Sequence, residues 1–175
     1  MTVDVPTLAG DAVALRPAAV ADVARFAEIL ATPEVACWWH GYDEARIRRE
    51  MFEADDADAT ANLAIELGGT VIGLIMFTEE NEPDYRHASI DVSLDPAFHH
   101  RGLGADSLRT LARHLFERRG HHRLTIDPAA HNEVAIRCYT SVGFRPVGLM
   151  RNYERGPDGT WHDGLLMDLL DHELT

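Results

Sequence analysis

The sequence predicts an α/β fold with a mixed central sheet of about six to seven strands and flanking helices. Three observations lead there. Turn clusters between apolar runs mark hairpins in both halves, at Gly68-Gly69 and at Gly156-Pro157-Asp158-Gly159. Between them strand patterns alternate with helical ones, the order expected of βα units. No repeat, low-complexity stretch or linker interrupts the 175 residues, so the chain reads as one domain, residues 1–175.

The elements follow in order. Ala12 to Arg16 alternates apolar and polar positions before Pro17 and reads as an edge strand. Asp22 is placed to cap a helix from Val23 to Ala31, stopped near Pro33, and Asp43 to cap a second from Glu44 to Ala54. Asn62–Leu67 and Val71–Phe77 form the first hairpin. The polar, acidic stretch Thr78 to Arg86 reads as a loop. Ala88 to Leu94 is a strand with Ile90, Val92 and Leu94 on one face, ended by Asp95-Pro96. Leu108, Leu111 and Leu115 recur at helical spacing in a helix from Gly104 to Arg119, closed by Gly120. Leu124–Ile126 is a short strand before Asp127-Pro128. Asn132 begins a helix over Glu133–Val142 that Gly143 terminates, and Phe144–Tyr153 and Trp161–Leu170 make the last hairpin.

Sixteen basic residues against 29 acidic ones leave a net charge of −13. That excludes the basic footprint needed for nucleic acid or an anionic membrane, and it favours a small cationic partner. No apolar run has membrane-spanning length, and the start Met1-Thr2-Val3-Asp4-Val5-Pro6 lacks a signal-peptide pattern, so a cytoplasmic location is expected. Cys37 and Cys138 give neither a disulfide framework nor a zinc pattern. The histidine pairs His99-His100 and His121-His122 lack metal-site spacing and read as surface or loop residues, so no metal is expected. Monomer and homodimer both stay open.

Two motifs carry chemistry. The first is Arg101-Gly102-Leu103-Gly104-Ala105, between a strand and a helix. Glycines let an anion approach the backbone, and free N–H groups with the helix dipole then bind it. Arg101 can add a charge-assisted bond. The turn lacks the third glycine of a dinucleotide fingerprint and the Lys-Ser/Thr of a nucleotide P-loop. The second motif is Asn132 to Phe144, where Asn132, Ala135 and Tyr139 lie along one helical stripe. An amide, a small side chain and a phenol in line suit a long ligand lying along the helix.

Together the two motifs resemble those of the GNAT superfamily of N-acetyltransferases. Its first motif is Gln/Arg-x-x-Gly-x-Gly/Ala; here His99 stands at the first position, before His100, Arg101, Gly102, Leu103 and Gly104. The second, Asn-x-x-Ala-x-x-x-Tyr-x-x-x-Gly-Phe, matches throughout. The resemblance implies a GNAT fold and acetyl-CoA as co-substrate. It implies that the strand ending Val92-Ser93-Leu94 pairs with the pantetheine arm, that residues 100–105 hold the pyrophosphate, that Asn132 and Ala135 border the arm, and that Tyr139 faces the thioester sulfur. An amine would attack the thioester directly, a backbone N–H near Val92 would meet the oxyanion, and Tyr139 would protonate the leaving thiolate. Asp91 is the first choice of base and Asp127 the second, each near the carboxyl end of a middle strand. A covalent Cys138 is not needed.

The acceptor is narrowed by two further segments. Glu34-Val35-Ala36-Cys37-Trp38-Trp39 is similar to the Val-x-x-Trp-Trp segment of aminoglycoside 6'-N-acetyltransferases, which also resemble this chain at Ile90-Asp91 and from Asp127 to Tyr139. That resemblance implies that Asp91 and Asp127 contact the amines of an aminoglycoside; Trp38 and Trp39 would supply the aromatic wall a polyamine sugar requires, and the acidic loop Glu79, Glu80, Glu82 and Asp84 can add to it. The tail, Gly148 to Tyr153 and Trp161 to Met167, is instead similar to ribosomal-protein N-terminal acetyltransferases. The aminoglycoside is the first expectation, a protein N-terminus or another polyamine the second. A module that binds coenzyme A without catalysis is a third, disfavoured by Tyr139.

Overall fold

The computed structural model describes residues 3–54 and 60–175. Among them eight strands form one sheet in the order β1-β2-β3-β4-β5-β6-β8-β7. These are β1 (Leu8–Ala9), β2 (Ala14–Pro17), β3 (Thr60–Leu67), β4 (Thr70–Glu80), β5 (His87–Leu94), β6 (Arg123–Ile126), β7 (Arg145–Arg155) and β8 (Trp161–Leu170). The helices are α1 (Val23–Leu30), α2 (Pro33–Ala36), α3 (Glu44–Arg48), α4 (Leu103–Glu117) and α5 (Glu133–Val142). The sheet exceeds the expected six to seven strands because two-residue β1, too short to leave a pattern, pairs with β2.

The sheet has a core on each face. On one, α4 and α5 set Leu108, Leu111, Leu115 and Val142 against Leu63, Ile75, Ile90 and Leu124. On the other, α1 and α3 bring Phe26, Leu30 and Ile47 onto Ala64 and Leu74. A register shift between Ile65 and Glu66 interrupts the β3–β4 pairing, and alternation along β4 sends Ile75 and Phe77 to one core and Leu74 and Met76 to the other. The carboxylate of Asp106 in α4 accepts N–H bonds from Asp11, Ala12 and Val13 at 2.8–3.0 Å, which pins the chain start to this helix.

Several boundaries differ from expectation for identifiable reasons. Asp22 supplies no side-chain cap to α1. Its carboxylate is turned back onto Arg16 (2.7 and 2.8 Å) and the Ala19 N–H. Asp43 does cap α3, accepting from Arg46 N–H at 2.8 Å, but after Arg48 the helix loosens into a π turn over Arg49–Glu53. The segment from Thr78 is not all loop, since β4 continues to Glu80 and pairs through Glu80–His87. Glu79 has an internal use there. It is 8 % exposed and holds Arg119 with both oxygens (2.6 Å each) and His121 Nε2 at 2.7 Å. His121 is therefore a buried residue rather than the surface residue expected, and Glu79 is not available to an acceptor.

Candidate active site

The site arises where the sheet splits. Parallel β5 and β6 pair only at Ala88–Leu124 and Ser89–Thr125. Past Ser89 no strand pairs with β5 on that side among the described residues, so its backbone from Ile90 to Leu94 borders a cleft. The cleft is part of a cavity of about 1,020 Å³. Two residues beyond the last register pair, on opposite lips, stand Asp91 and Asp127.

One end of the cavity is the glycine turn. Gly102 adopts φ +76°, a left-handed conformation suited to glycine, and offers α4 no side-chain cap. The first helical bond to the turn is Asp106 N–H to Gly102 C=O, which leaves the N–H groups of Leu103, Gly104 and Ala105 outside the helix ladder. A Cβ on Gly104 would stand 3.1 Å from Leu94 Cδ1 and 3.5 Å from Cys138 Sγ, so a side chain there would crowd β5 and α5. This turn fits a pyrophosphate, and the β5 lip fits the arm that follows it. His100, Gly102, Leu103, Gly104 and Ala105 line the cavity; Arg101 is not among the lining residues and its guanidinium lies 5.3 Å from the Phe98 ring. His99 binds back to the Leu94 carbonyl through Nε2 at 2.9 Å, bracing the turn on β5.

The long wall is α5. Asn132 caps it, accepting the Ala135 N–H at 3.2 Å through Oδ1, which leaves its Nδ2 to donate into the cavity. Ala135, Cys138 and Tyr139 follow along the lining. Tyr139 is 8 % exposed, packs against Phe144 at 6.2 Å, and its hydroxyl has no partner among the described residues. Burial, with Cys138, Asp91 and Asp127 nearby, raises its pKa far above the ordinary phenol value. Burial also raises the Cys138 thiol, the wrong direction for a nucleophile.

The other end holds the carboxylates. The Asp91 side chain opens into the cavity, yet the walls enclose it, and desolvation with the charge of Asp127 pushes its pKa up to about 6. Asp127 is also raised by burial, partly offset by a hydrogen bond from the Tyr153 hydroxyl. Trp38, Trp39, Tyr42 and Met76 line this end. Trp39 also packs into the core near Tyr42. The structure thus brings Asp91, Asp127, Trp38, Trp39 and Tyr139 to one cavity. It places Asp84 elsewhere, exposed in the turn 82–85 and outside the lining. Tyr153 closes the tail segment read from the sequence and Glu154 lies just past it, but neither cofactor motif reaches them and only the β7–β8 fold-back brings them here. Among the described residues no group of three or more His, Cys, Asp or Glu side chains is arranged to hold a metal.

A glycine turn with free helix-start N–H groups, a sheet that splits beside it and a phenol in the same cavity are features that suit an acyltransferase using coenzyme A. The model of the acetyltransferase (GNAT) domain matches residues 13–145, and the chain belongs to that family. It is an acetyl-CoA-dependent acetyltransferase. It is 30 % identical over 124 residues to the N-alpha-acetyltransferase RimI of Mycobacterium tuberculosis (strain ATCC 25618 / H37Rv), an alignment covering 63 % of this chain and 76 % of the relative. It is 35 % identical over 82 residues to the [ribosomal protein bS18]-alanine N-acetyltransferase of Escherichia coli (strain K12), covering 45 % of this chain; there it spans about half, 52 %, of the relative's length. Among solved structures, AAC(6')-Ib in complex with paromomycin and acetyl-CoA superimposes with a TM-score of 0.77 at 26 % identity, covering 93 % of this chain and 96 % of that one.

Proposed function

We propose that this enzyme acetylates the α-amine of a polypeptide N-terminus, with a small polyamine such as an aminoglycoside as the second reading. Amine acetylation is carried by one observation: two neighbouring carboxylates, Asp91 and Asp127, stand at the split of the sheet with no cation paired to either among the described residues. A carboxylate pair in a walled site attracts an ammonium and can take its proton. The preference for a polypeptide amine rests on the relatives at 30 % and 35 % identity, the first named an N-alpha-acetyltransferase and the second a ribosomal-protein alanine N-acetyltransferase. The aminoglycoside reading rests on Trp38 beside the same carboxylates and on the likeness to AAC(6')-Ib.

Acetyl-CoA, when bound, supplies an acyl group activated as a thioester. The residues do the rest. The turn 102–105 and the Asn132 amide would hold the cofactor's length, with its thioester toward the place where β5 and β6 part. Asp91 takes a proton from the incoming ammonium, directly or through water, because a group with a pKa of about 6 is ionised at neutral pH yet basic enough to accept. An N–H on the cleft side of β5, near Val92, would donate to the thioester oxygen as its charge grows. Tyr139 stays protonated at every physiological pH, and its hydroxyl would donate to the leaving thiolate; its raised pKa opposes full proton transfer unless the same walls raise the thiol as well.

Thiol release from acetyl-CoA tests the acceptor. With peptides bearing ribosomal-protein N-termini, kcat/KM is expected at least about tenfold above that for aminoglycosides, a difference of ~1.4 kcal/mol in transition-state binding. The opposite order would put the aminoglycoside first.

A further inference from the structure

The acceptor end continues past the carboxylate pair. Trp38, His40 and Glu154 belong to the walls of the main cavity and also to those of a second cavity, of about 230 Å³, under the tip of the β7–β8 hairpin. Three rings from three parts of the chain run through it in a ladder. Trp38, after α2, lies 5.0 Å from His131, before α5, and His131 lies 5.8 Å from His162 on β8. His162 is held in place from the hairpin turn, with Nε2 at 3.0 Å from Asp158 Oδ1 and from Thr160 Oγ1. Glu154 is the cross-strand neighbour of His162. It is half-buried, and among the described residues its carboxylate has no hydrogen bond or ion pair.

This is an aromatic channel with an unpaired anion beside it, leading away from the reacting centre. A metal does not explain it, since the described residues hold no suitable ligand group. Cys37 is directed elsewhere, its thiol bonding to the Glu34 carbonyl. Long cationic side chains lay their stems along such rings and put the charged head on a carboxylate. We propose that the second cavity is a specificity subsite for a Lys or Arg one or two residues after the acetylated N-terminus. Its stem lies on the Trp38–His131–His162 ladder and its head pairs with Glu154. This rests on the polypeptide reading given above.

The test is a thermodynamic cycle between enzyme and peptide. Two peptides differing only by Arg against Gln at the second and third residues are compared on the wild type and on Glu154→Gln, with kcat and KM read separately. The wild type should show a KM about tenfold lower for the basic peptide at similar kcat, the scale of one half-buried charged hydrogen bond. The two changes should be coupled by about the same factor, which separates a local contact from the attraction of the whole acidic molecule. Glu154→Lys should reverse the preference toward an acidic peptide, which guards against a general loss of fitness in Glu154→Gln. Turnover of both peptides with coupling below twofold overturns the subsite and leaves the N-terminal acceptor standing. No turnover of either peptide, with aminoglycosides turned over, overturns the acceptor reading and the subsite together.

Discussion

Two carboxylates on neighbouring strands meet opposite fates. Glu79 lies on β4, Asp91 on β5, and the two strands are hydrogen-bonded along their length, with Glu79 opposite Ala88 and Asp91 opposite Met76. Glu79 is buried against Arg119 and His121, and those bonds pull its pKa down to about 2. Asp91 has no cation paired to it among the described residues, and desolvation together with the charge of Asp127 raises its pKa to about 6. Desolvation acts on both in the same direction. The partner decides the outcome, and the carboxylate left without one is the group the chemistry can use.

The comparison can be broken most sharply by kinetics. Asp91→Asn should lower kcat by about 100- to 1,000-fold through loss of the base, whereas Glu79→Gln should leave kcat within about threefold below its unfolding temperature. The rising limb of the wild-type pH–rate profile, set by deprotonation of Asp91, should have an apparent pKa near 6 and vanish in Asp91→Asn. Equal kinetic losses in the two variants would erase the distinction. Next in size, Tyr139→Phe should slow transfer by about 10- to 100-fold with coenzyme A affinity unchanged, as calorimetry would show; an unchanged rate removes Tyr139 as the acid.

Stability should reverse the order. Glu79 is held below its unfolded value, so its contribution is present above pH ~4.5 and is lost as pH falls toward about 2. Glu79→Gln should cost about 2–4 kcal/mol at neutral pH by stranding Arg119 and His121, measured by urea unfolding. Asp91 is the opposite case. Its raised pKa favours the fold only at low pH, and that benefit is lost as pH rises through about 6. Asp91→Asn should therefore raise the melting temperature slightly, by ~2–4 °C at pH 7, while losing activity. A lower melting temperature would mean that Asp91 has a structural partner after all.

The same contrast explains what the sequence made legible. Helix α5 and strand β8 match their expected limits, Glu133–Val142 and Trp161–Leu170, because Asn132, Gly143 and Gly159 punctuate them locally. The glycine turn and the α5 stripe were readable for the same reason, since each is a short-range pattern. The end of β4 was not. Thr78, Glu79 and Glu80 look like loop until Arg119 and His121 arrive from 40 and 42 residues away. Nor could local pattern tell that β8, rather than β7, lies beside β6. That order swings Tyr153 onto Asp127 and Glu154 beside the ring ladder, and no motif carries that information.

The two register pairs joining β5 to β6 have a consequence for motion. Within the sheet they join five strands, β1 to β5, to three, β6-β8-β7, through a very short seam, the rest of the coupling being the core under α4 and α5. A molecule lying along the parted strands and the start of α4 grips both groups of strands at once. Coenzyme A should then act on this enzyme as a splint: backbone amides of β6 and β8 should exchange with deuterium more slowly once it binds, while those of β3 and β4, already locked within the larger group, should barely respond.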